Sequence, residues 1–437
     1  MSTHAVRYVS TRGRSEPTTI SGAIARGPAP DGGLYVPETL PRLDLDGAPV
    51  GGTLAQVAAW LLAPFFVGDP LEDALGTITH DALDFQTPLR ALPRPGDHLL
   101  ELFHGQTGAF KDVGARFLAA CLARMRRDDP RPLTILVATS GDTGAAVAAA
   151  FHGRPGLRVA VLYPDGRVSP RQAHQLGCFG GNVRAFRVAG NFDDCQAMVK
   201  AAFADEGLRG EVPLASANSI SLGRLLPQMA YYAQAALEHR GRSGDKLGFV
   251  IPTGNLGNAF AGLLARQLGL PVGDVVLATN ANRVLPNWFA TGDYRPSASV
   301  PTLANAMDVG DPSNAERLGW LWPEPEARAR ATYAVPVEDD RIRQTIRDWD
   351  AHWGELLCPH TACAAAHLDD LRAEGDRRPW AVVATAHPAK FETVVEPLVG
   401  RTVPLPPTLA AMLERPAHAE PLTNEPAALA ERLRSWR

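Results

Sequence analysis

The chain has 437 residues, enough for two to three domains around a large core. A formal charge of −4 gives no electrostatic reason to expect nucleic acid or an anionic membrane as partner, so a small-molecule ligand is the default. Five cysteines, Cys121, Cys178, Cys195, Cys358 and Cys363, are odd in number and scattered, which argues against a disulfide framework and for a reducing, cytoplasmic setting.

The opening "MSTHAVRYVSTRGRSEPTTISG" has no apolar centre of the kind a signal peptide carries, and no later run is long and uncharged enough to span a bilayer. Residues 1 to about 95 are rich in Gly and Pro, with an amphipathic stretch at "LAQVAAWLLAPFF". Beyond them the text becomes rhythmic. "LTILVA", "RVAVLY", "LGFVI", "VVLATN" and "WAVVAT" are short apolar runs, each leading into a polar or Gly-rich turn, and several of these turns open helices. That alternation predicts an α/β fold with a mostly parallel sheet covered on both faces, whose ligands sit beyond the carboxyl ends of the strands. The final segment, "LPPTLAAMLERPAHAEPLTNEPAALAERLRSWR", reads as Pro-broken helices covering the sheet.

Chemistry is therefore sought just after each strand. Four of the 43 basic residues are lysines, Lys111, Lys200, Lys246 and Lys390, and the remaining 39 are arginines. An amine forms imines and loses its proton on burial far more readily than a guanidinium, so a lysine persisting in so arginine-rich a chain is a candidate for chemistry. In "HGQTGAFKDVGARFLAACLARM", Phe110, Val113, Gly114, Phe117, Leu118, Cys121, Leu122 and Met125 follow helical spacing, which puts Lys111 in a first turn. There the helix dipole and the nearby Phe103 and Phe110 rings lower its pKa, whereas Asp112 offers an ordinary ion pair that would raise it. The spacing alone does not choose between them.

Other turns bear on that choice. "LTILVATSGDTGAAVAAAFHG" runs from a strand through Thr139, Ser140, Gly141, Asp142, Thr143 and Gly144 into an Ala-rich helix; it reads either as an anion-binding helix start or as a tight turn capped by Ser or Thr. It lacks both GK[ST] and GxGxxG, which excludes a nucleotide P-loop and disfavours a dinucleotide site. "LGFVIPTGNLGNAFAGLLARQLG" repeats the arrangement with Gly254, Asn255, Leu256, Gly257 and Asn258, a cup suited to phosphate. "ASANSISLGRLLPQ" adds Asn218, Ser219 and Arg224, either an anion clamp or a solvated arginine with its neighbours. "WAVVATAHPAKF" ends a strand at Thr385, a natural ligand-facing hydroxyl. "CPHTAC" lacks the fourth ligand and the paired spacing of a zinc site, so no metal is expected and the cysteines read as buried residues opening a helix.

Taken in order, "YVSTRG", "PAPDGGLYVPE", "LFHGQTGAFKD", "ATSGDTGAAVA", "NSISLGRLLPQ", "PTGNLGN", "NAMDVGDPSN", "PHTA" and "TAHPAKF" resemble the pattern of the threonine synthases over nearly the whole chain. These are pyridoxal-phosphate enzymes of fold type II, with the tryptophan-synthase β-like fold. The resemblance implies two open twisted, mostly parallel sheets with flanking helices. It implies a small domain at 104–221 inserted between an N-terminal part, 1–103, and a large cofactor-binding part with C-terminal helices, 222–437. It further implies that Lys111 forms the imine with pyridoxal 5'-phosphate and moves protons, that Gly254, Asn255, Leu256, Gly257 and Asn258 hold the cofactor phosphate, and that Thr385 meets the pyridine nitrogen. Ser140, Thr143, Asn218, Ser219 and Arg224 would surround the two anionic ends of O-phospho-L-homoserine.

The reaction so implied releases L-threonine and phosphate. Stopping after elimination would give 2-oxobutyrate instead, and a silent relative would bind an anionic metabolite without reaction. The expected state is a monomer or homodimer. The chain departs from the family pattern at Gln106, Gly108, Ser221 and Leu256, which bears on substrate choice.

Overall fold

The computed structural model describes residues 5–436; residues 1–4 of the opening segment and residue 437 lie outside it. Two larger sheets organise the described chain, with a small antiparallel pair, Tyr8–Ser10 and Tyr35–Pro37, beside them. In spatial order the six-stranded sheet runs Thr332–Pro336, Val272–Thr279, Leu247–Pro252, Trp380–Ala384, Asp97–Glu101 and Leu89–Ala91. All neighbours are parallel except the last pair, which is antiparallel. The five-stranded sheet runs Glu420–Leu422, Val183–Val188, Leu157–Pro164, Leu133–Ala138 and Leu214–Ser216, and is parallel throughout.

The apolar runs become central strands because both faces are covered. Leu247–Pro252 and Trp380–Ala384 are buried at every position, as parallel strands under helices must be. The amphipathic stretch near residue 54 is the helix Leu54–Leu62, opened by a capping box between Thr53 and Gln56 and continued by a 3₁₀ turn, Ala63–Phe65. The helix predicted near Phe110 spans Lys111–Met125, with Phe110 as its N-cap residue. Of its expected apolar face, Val113 to Leu122 are buried, while Phe110 and Met125 are half-buried at the two ends.

The tail differs from expectation. Its helices, Pro407–Leu413 and Pro426–Arg434, are separated by the strand Glu420–Leu422, which pairs with Val183–Val188 at the edge of the five-stranded sheet. Three residues centred on Pro421 carry no periodic signal, and a proline is tolerated there because an edge strand has one side unpaired. Helix Pro426–Arg434 then buries Leu429 and Leu433 with Phe186 and Met198 of the five-stranded unit. The five cysteines are buried free thiols. No described helix is long and apolar enough to cross a membrane.

Candidate active site

Three adjacent strands of the six-stranded sheet end at the same place. Trp380–Ala384 leads into Thr385, Asp97–Glu101 into the loop before Lys111, and Leu247–Pro252 into the Gly254 turn. The Lys111 loop continues along the chain beyond Thr385: Phe110 N–H donates to the Thr385 carbonyl (2.8 Å), and His387 N–H to the Gly108 carbonyl (2.9 Å). Lys111 is thereby tied one residue away from Thr385. Thr385 N–H donates to Thr361 Oγ1 at 3.3 Å, and its own hydroxyl has no hydrogen-bond partner among the described residues.

At the third strand end, Leu256 adopts φ 63°, the one non-glycine residue in the left-handed region among those described, and caps the helix Gly257–Gln267. A Cβ at Gly254 would lie 2.7 Å from Met307 Cα, whereas one at Gly257 would meet nothing nearer than 3.6 Å. Gly254 is required by close packing, whereas a side chain at Gly257 would meet only ordinary contacts. The two amides of the expected cup are largely committed elsewhere. Asn255 donates to Ser219 Oγ (2.6 Å) and accepts from Ser313 N–H (2.6 Å); Asn258 Oδ1 accepts from the Tyr231 and Tyr232 hydroxyls at 2.5 and 2.7 Å. The donors left at this helix start are its backbone N–H groups and the buried, unpartnered Asn258 Nδ2.

In the five-stranded sheet, two neighbouring strand ends deliver the remaining candidates. Leu133–Ala138 runs into the 139–144 turn, where Thr139 Oγ1 accepts from Gly141 and Gly144 N–H, so Thr139 supplies the cap foreseen as one reading. Ser140 and Thr143 are half-buried, and their hydroxyls make no hydrogen bond within the described chain. Beside it, Leu214–Ser216 leads to Asn218 and Ser219, also half-buried. Arg224 follows in a short helix packed on the Lys111 helix at Gly114, where a Cβ would meet the Arg224 carbonyl at 2.5 Å.

The electrostatics favour anions. Arg224 is buried, not solvated as an isolated arginine would be; one nitrogen donates to the Ala217 carbonyl (2.7 Å), its Nε is unpartnered, and no carboxylate pairs with it among the described residues. Burial lowers its pKa to about 10, with Asp112 opposing. The Asp112 carboxylate accepts from Thr107 N–H (2.8 Å) and hydroxyl (2.7 Å) rather than from Lys111, which resolves the ion-pair alternative. Burial brings the Lys111 amine down to about 8, the Asp142 carboxylate opposing this and the Arg224 and Lys390 charges adding to it. The Phe110 ring centroid lies 5.8 Å from Lys111 Nζ, while Phe103 packs against the rings of His104 and His387.

The sequence reading missed several members. Lys390 is fully buried, donating to the Thr107 carbonyl (2.7 Å) and pairing with Asp142 (2.9 Å). Its presence among four lysines was the available signal. His360 accepts from Ala306 N–H through Nε2 (3.0 Å), and burial brings its pKa to about 4, so the ring is neutral. In "CPHTAC", Cys358 caps the helix Pro359–Ala373 and lies 3.2 Å from Thr361 Oγ1, so the motif supports Thr385. Arg317, buried without an acidic partner among the described residues, donates to the carbonyls of Tyr35 and Ile220 and to Asn314 Oδ1, while Asn314 donates to the Asn255 carbonyl. No local pattern marks it. Of the departures, Ser221 has a buried hydroxyl and Gln106 a half-buried side chain, neither with a hydrogen-bond partner among the described residues, and Gly108 takes φ 68°.

A helix start with free N–H groups, a strand-end threonine whose carbonyl is bonded by the residue before a lysine of lowered pKa, and a buried guanidinium with no acidic partner among the described residues are groups suited to an imine-forming, anionic cofactor. The model of the pyridoxal-phosphate dependent enzymes matches residues 82–389 and gives the class. The models of the threonine synthase N terminus and C-terminal region match 7–83 and 361–432. A threonine synthase of Serratia marcescens is 39% identical over 415 residues, 94% of this chain and 95% of that one. Among solved structures, the pyridoxal-phosphate-bound threonine synthase of Brucella melitensis has a TM-score of 0.90 at 34% identity, covering 98% and 99% of the two chains. The Escherichia coli threonine synthase has 0.89 at 36%, covering 99% and 100%. The chain belongs to the threonine synthase family.

Proposed function

We propose that the chain converts O-phospho-L-homoserine and water to L-threonine and phosphate, with pyridoxal 5'-phosphate bound through Lys111. The observation that carries this reading is the convergence of five strand ends, adjacent within each sheet, on one lysine whose pKa is depressed and whose neighbouring acid is turned away. Bound there, pyridoxal phosphate supplies the electron sink that lets bonds beside the substrate amine break. The backbone N–H groups from Gly254 to Asn258 would hold its phosphate, and the Thr385 hydroxyl, neutral and without a partner among the described residues, would serve its pyridine nitrogen.

Lys111 alternates between amine and ammonium near neutral pH, taking a proton from one carbon and returning it at another. Ser140, Thr143, Asn218, Ser219 and Arg224 orient the substrate carboxylate and phosphate; the unpaired Arg224 charge gains most from an anion because it has none of its own. The five-stranded unit, built from about residues 104–221 and joined by the tail strand Glu420–Leu422 and its helix, closes on the substrate against the six-stranded one. The chain acts in the cytoplasm as a monomer or homodimer.

Incubation with O-phospho-L-homoserine, followed by identification of the organic product and of released phosphate, tests the reading. L-Threonine is expected, together with a visible imine band that is lost in Lys111→Ala. Formation of 2-oxobutyrate without threonine would show an elimination enzyme. Absence of the band after adding pyridoxal phosphate would leave a silent metabolite-binding relative.

A further inference from the structure

Two lysines share the neighbourhood of one buried carboxylate. Lys390, 0% exposed, bonds the Thr107 carbonyl at 2.7 Å and Asp142 Oδ1 at 2.9 Å. Asp142, itself buried, takes another bond from Gln172 Nε2 at 3.1 Å. The Lys390–Asp142 pair thus joins the chain beyond a central strand of the six-stranded sheet to the helix start of the five-stranded one. The Lys390 end is held in turn by the five-stranded unit. Ser169 Oγ donates to the Lys390 carbonyl (3.0 Å), and Arg171 to the Ala389 carbonyl (2.7 Å).

Lys111 opens the helix that follows the Thr107 loop, within electrostatic reach of Asp142. The other charged or titratable groups acting there are Arg224 and Lys390, both cationic, and His360, which is neutral. Asp112, next in the helix, is occupied by Thr107. Asp142 is therefore the acid available to pair with Lys111. A carboxylate paired with a buried amine holds it as ammonium, and an ammonium cannot attack an aldehyde or accept a proton.

We propose that Lys390 is a positioning residue that occupies the Asp142 carboxylate, preventing it from pairing with Lys111 and so leaving Lys111 free as a neutral nucleophile. The arrangement divides the work between two amines. The one sealed from solvent, Lys390, keeps the carboxylate; the half-buried one, Lys111, is left to react. Lys390 and Arg224 together outnumber Asp142 in cationic charge, which also favours entry of an anionic ligand. The inference rests on the reading of Lys111 as the imine-forming amine.

The test reads the basicity of Lys111 directly. The full chain, freed of cofactor, is labelled with a trace of acetic anhydride between pH 6 and 10, and acetylation of Lys111 is followed by peptide mass spectrometry in wild type, Lys390→Met, Asp142→Asn and the double variant, with melting curves to establish folding. In Lys390→Met the labelling midpoint is expected to rise by one unit or more, so that labelling at pH 7 falls about tenfold. In the double variant, which has no carboxylate to capture Lys111, labelling returns to within about threefold of wild type. An unchanged profile in folded Lys390→Met, or a double variant as slow as the single, overturns the proposal. Should Lys390→Met fail to fold, Lys390→Gln removes the charge while keeping a donor for Thr107, and the same outcomes apply. Labelling needs no cofactor, so absence of the imine band from the wild-type chain after adding pyridoxal phosphate would refute the proposed function independently of this result.

Discussion

Gly114→Ala tests whether close packing of two helices sets the site. Residue 114 lies in the first turns of the Lys111 helix, and an added Cβ would sit 2.5 Å from the Arg224 carbonyl oxygen and 3.1 Å from Arg224 Cα. Real Cβ contacts do not fall below about 3 Å, and the opposing atoms are backbone, so a side-chain rotation cannot relieve the overlap and the helices must separate. Overpacking of this kind costs about 1–3 kcal/mol, against which alanine returns about 1 kcal/mol of helix propensity. The balance is a loss of up to about 2 kcal/mol together with displacement of Arg224 from Lys111. Gly319→Ala is the matched control: it lies inside the helix Ala315–Leu321 with nothing within 4 Å of the new Cβ, so only the propensity gain of up to about 1 kcal/mol operates. Urea unfolding of both variants beside wild type, with affinity for O-phospho-L-homoserine measured on each folded protein, provides the comparison. Gly114→Ala should unfold earlier and bind more weakly, and Gly319→Ala should do neither. A Gly114→Ala protein as stable as Gly319→Ala would refute the close-contact argument.

Three further outcomes follow from the same geometry. The rate of imine formation on adding pyridoxal phosphate should rise with pH and level off above about 8, because the neutral amine of Lys111 is the reactive form; a rate still climbing to pH 10 would mean an ordinary solvated lysine. Thr361→Val removes the acceptor of Thr385 N–H at nearly constant shape, which should cost about 1–2 kcal/mol in thermal unfolding and lower kcat. Thr361→Ser should retain both, and equal behaviour of the Val and Ser variants would dismiss the hydroxyl. Arg317→Lys should weaken pyridoxal-phosphate binding about tenfold or more, since one ammonium cannot reach Tyr35, Ile220 and Asn314 together as a guanidinium does; spectrophotometric titration with the cofactor reads this, and unaltered affinity would remove Arg317 from the support of the Asn255 turn.

Much of the site could be read locally. A buried parallel strand must be an apolar run, and the turn beyond it must expose backbone N–H groups, so Leu133–Ala138 with Ser140 and Thr143, or Leu247–Pro252 with Gly254 to Asn258, are recorded within about twenty consecutive letters. Thr385 was legible for the same reason. Glu420–Leu422 was not, because a three-residue edge strand containing proline is created by its partner rather than by its own pattern.

What the sequence alone determined was the set of parts: the strand-turn-helix units, a lysine at a helix start and polar, glycine-bearing turns beyond the strands. Tertiary structure decided how charges pair. Asp112 lies beside Lys111 in the chain yet bonds Thr107, and Asp142 is taken by Lys390 from 248 positions away. Arg317 joins Tyr35, Ile220 and Asn314 across three distant segments. Secondary structure depends on short-range periodicity and capping, which a sequence displays. A buried ion pair depends on which groups the folded backbone brings within about 3 Å after water has left, and that selection is a property of the packed chain.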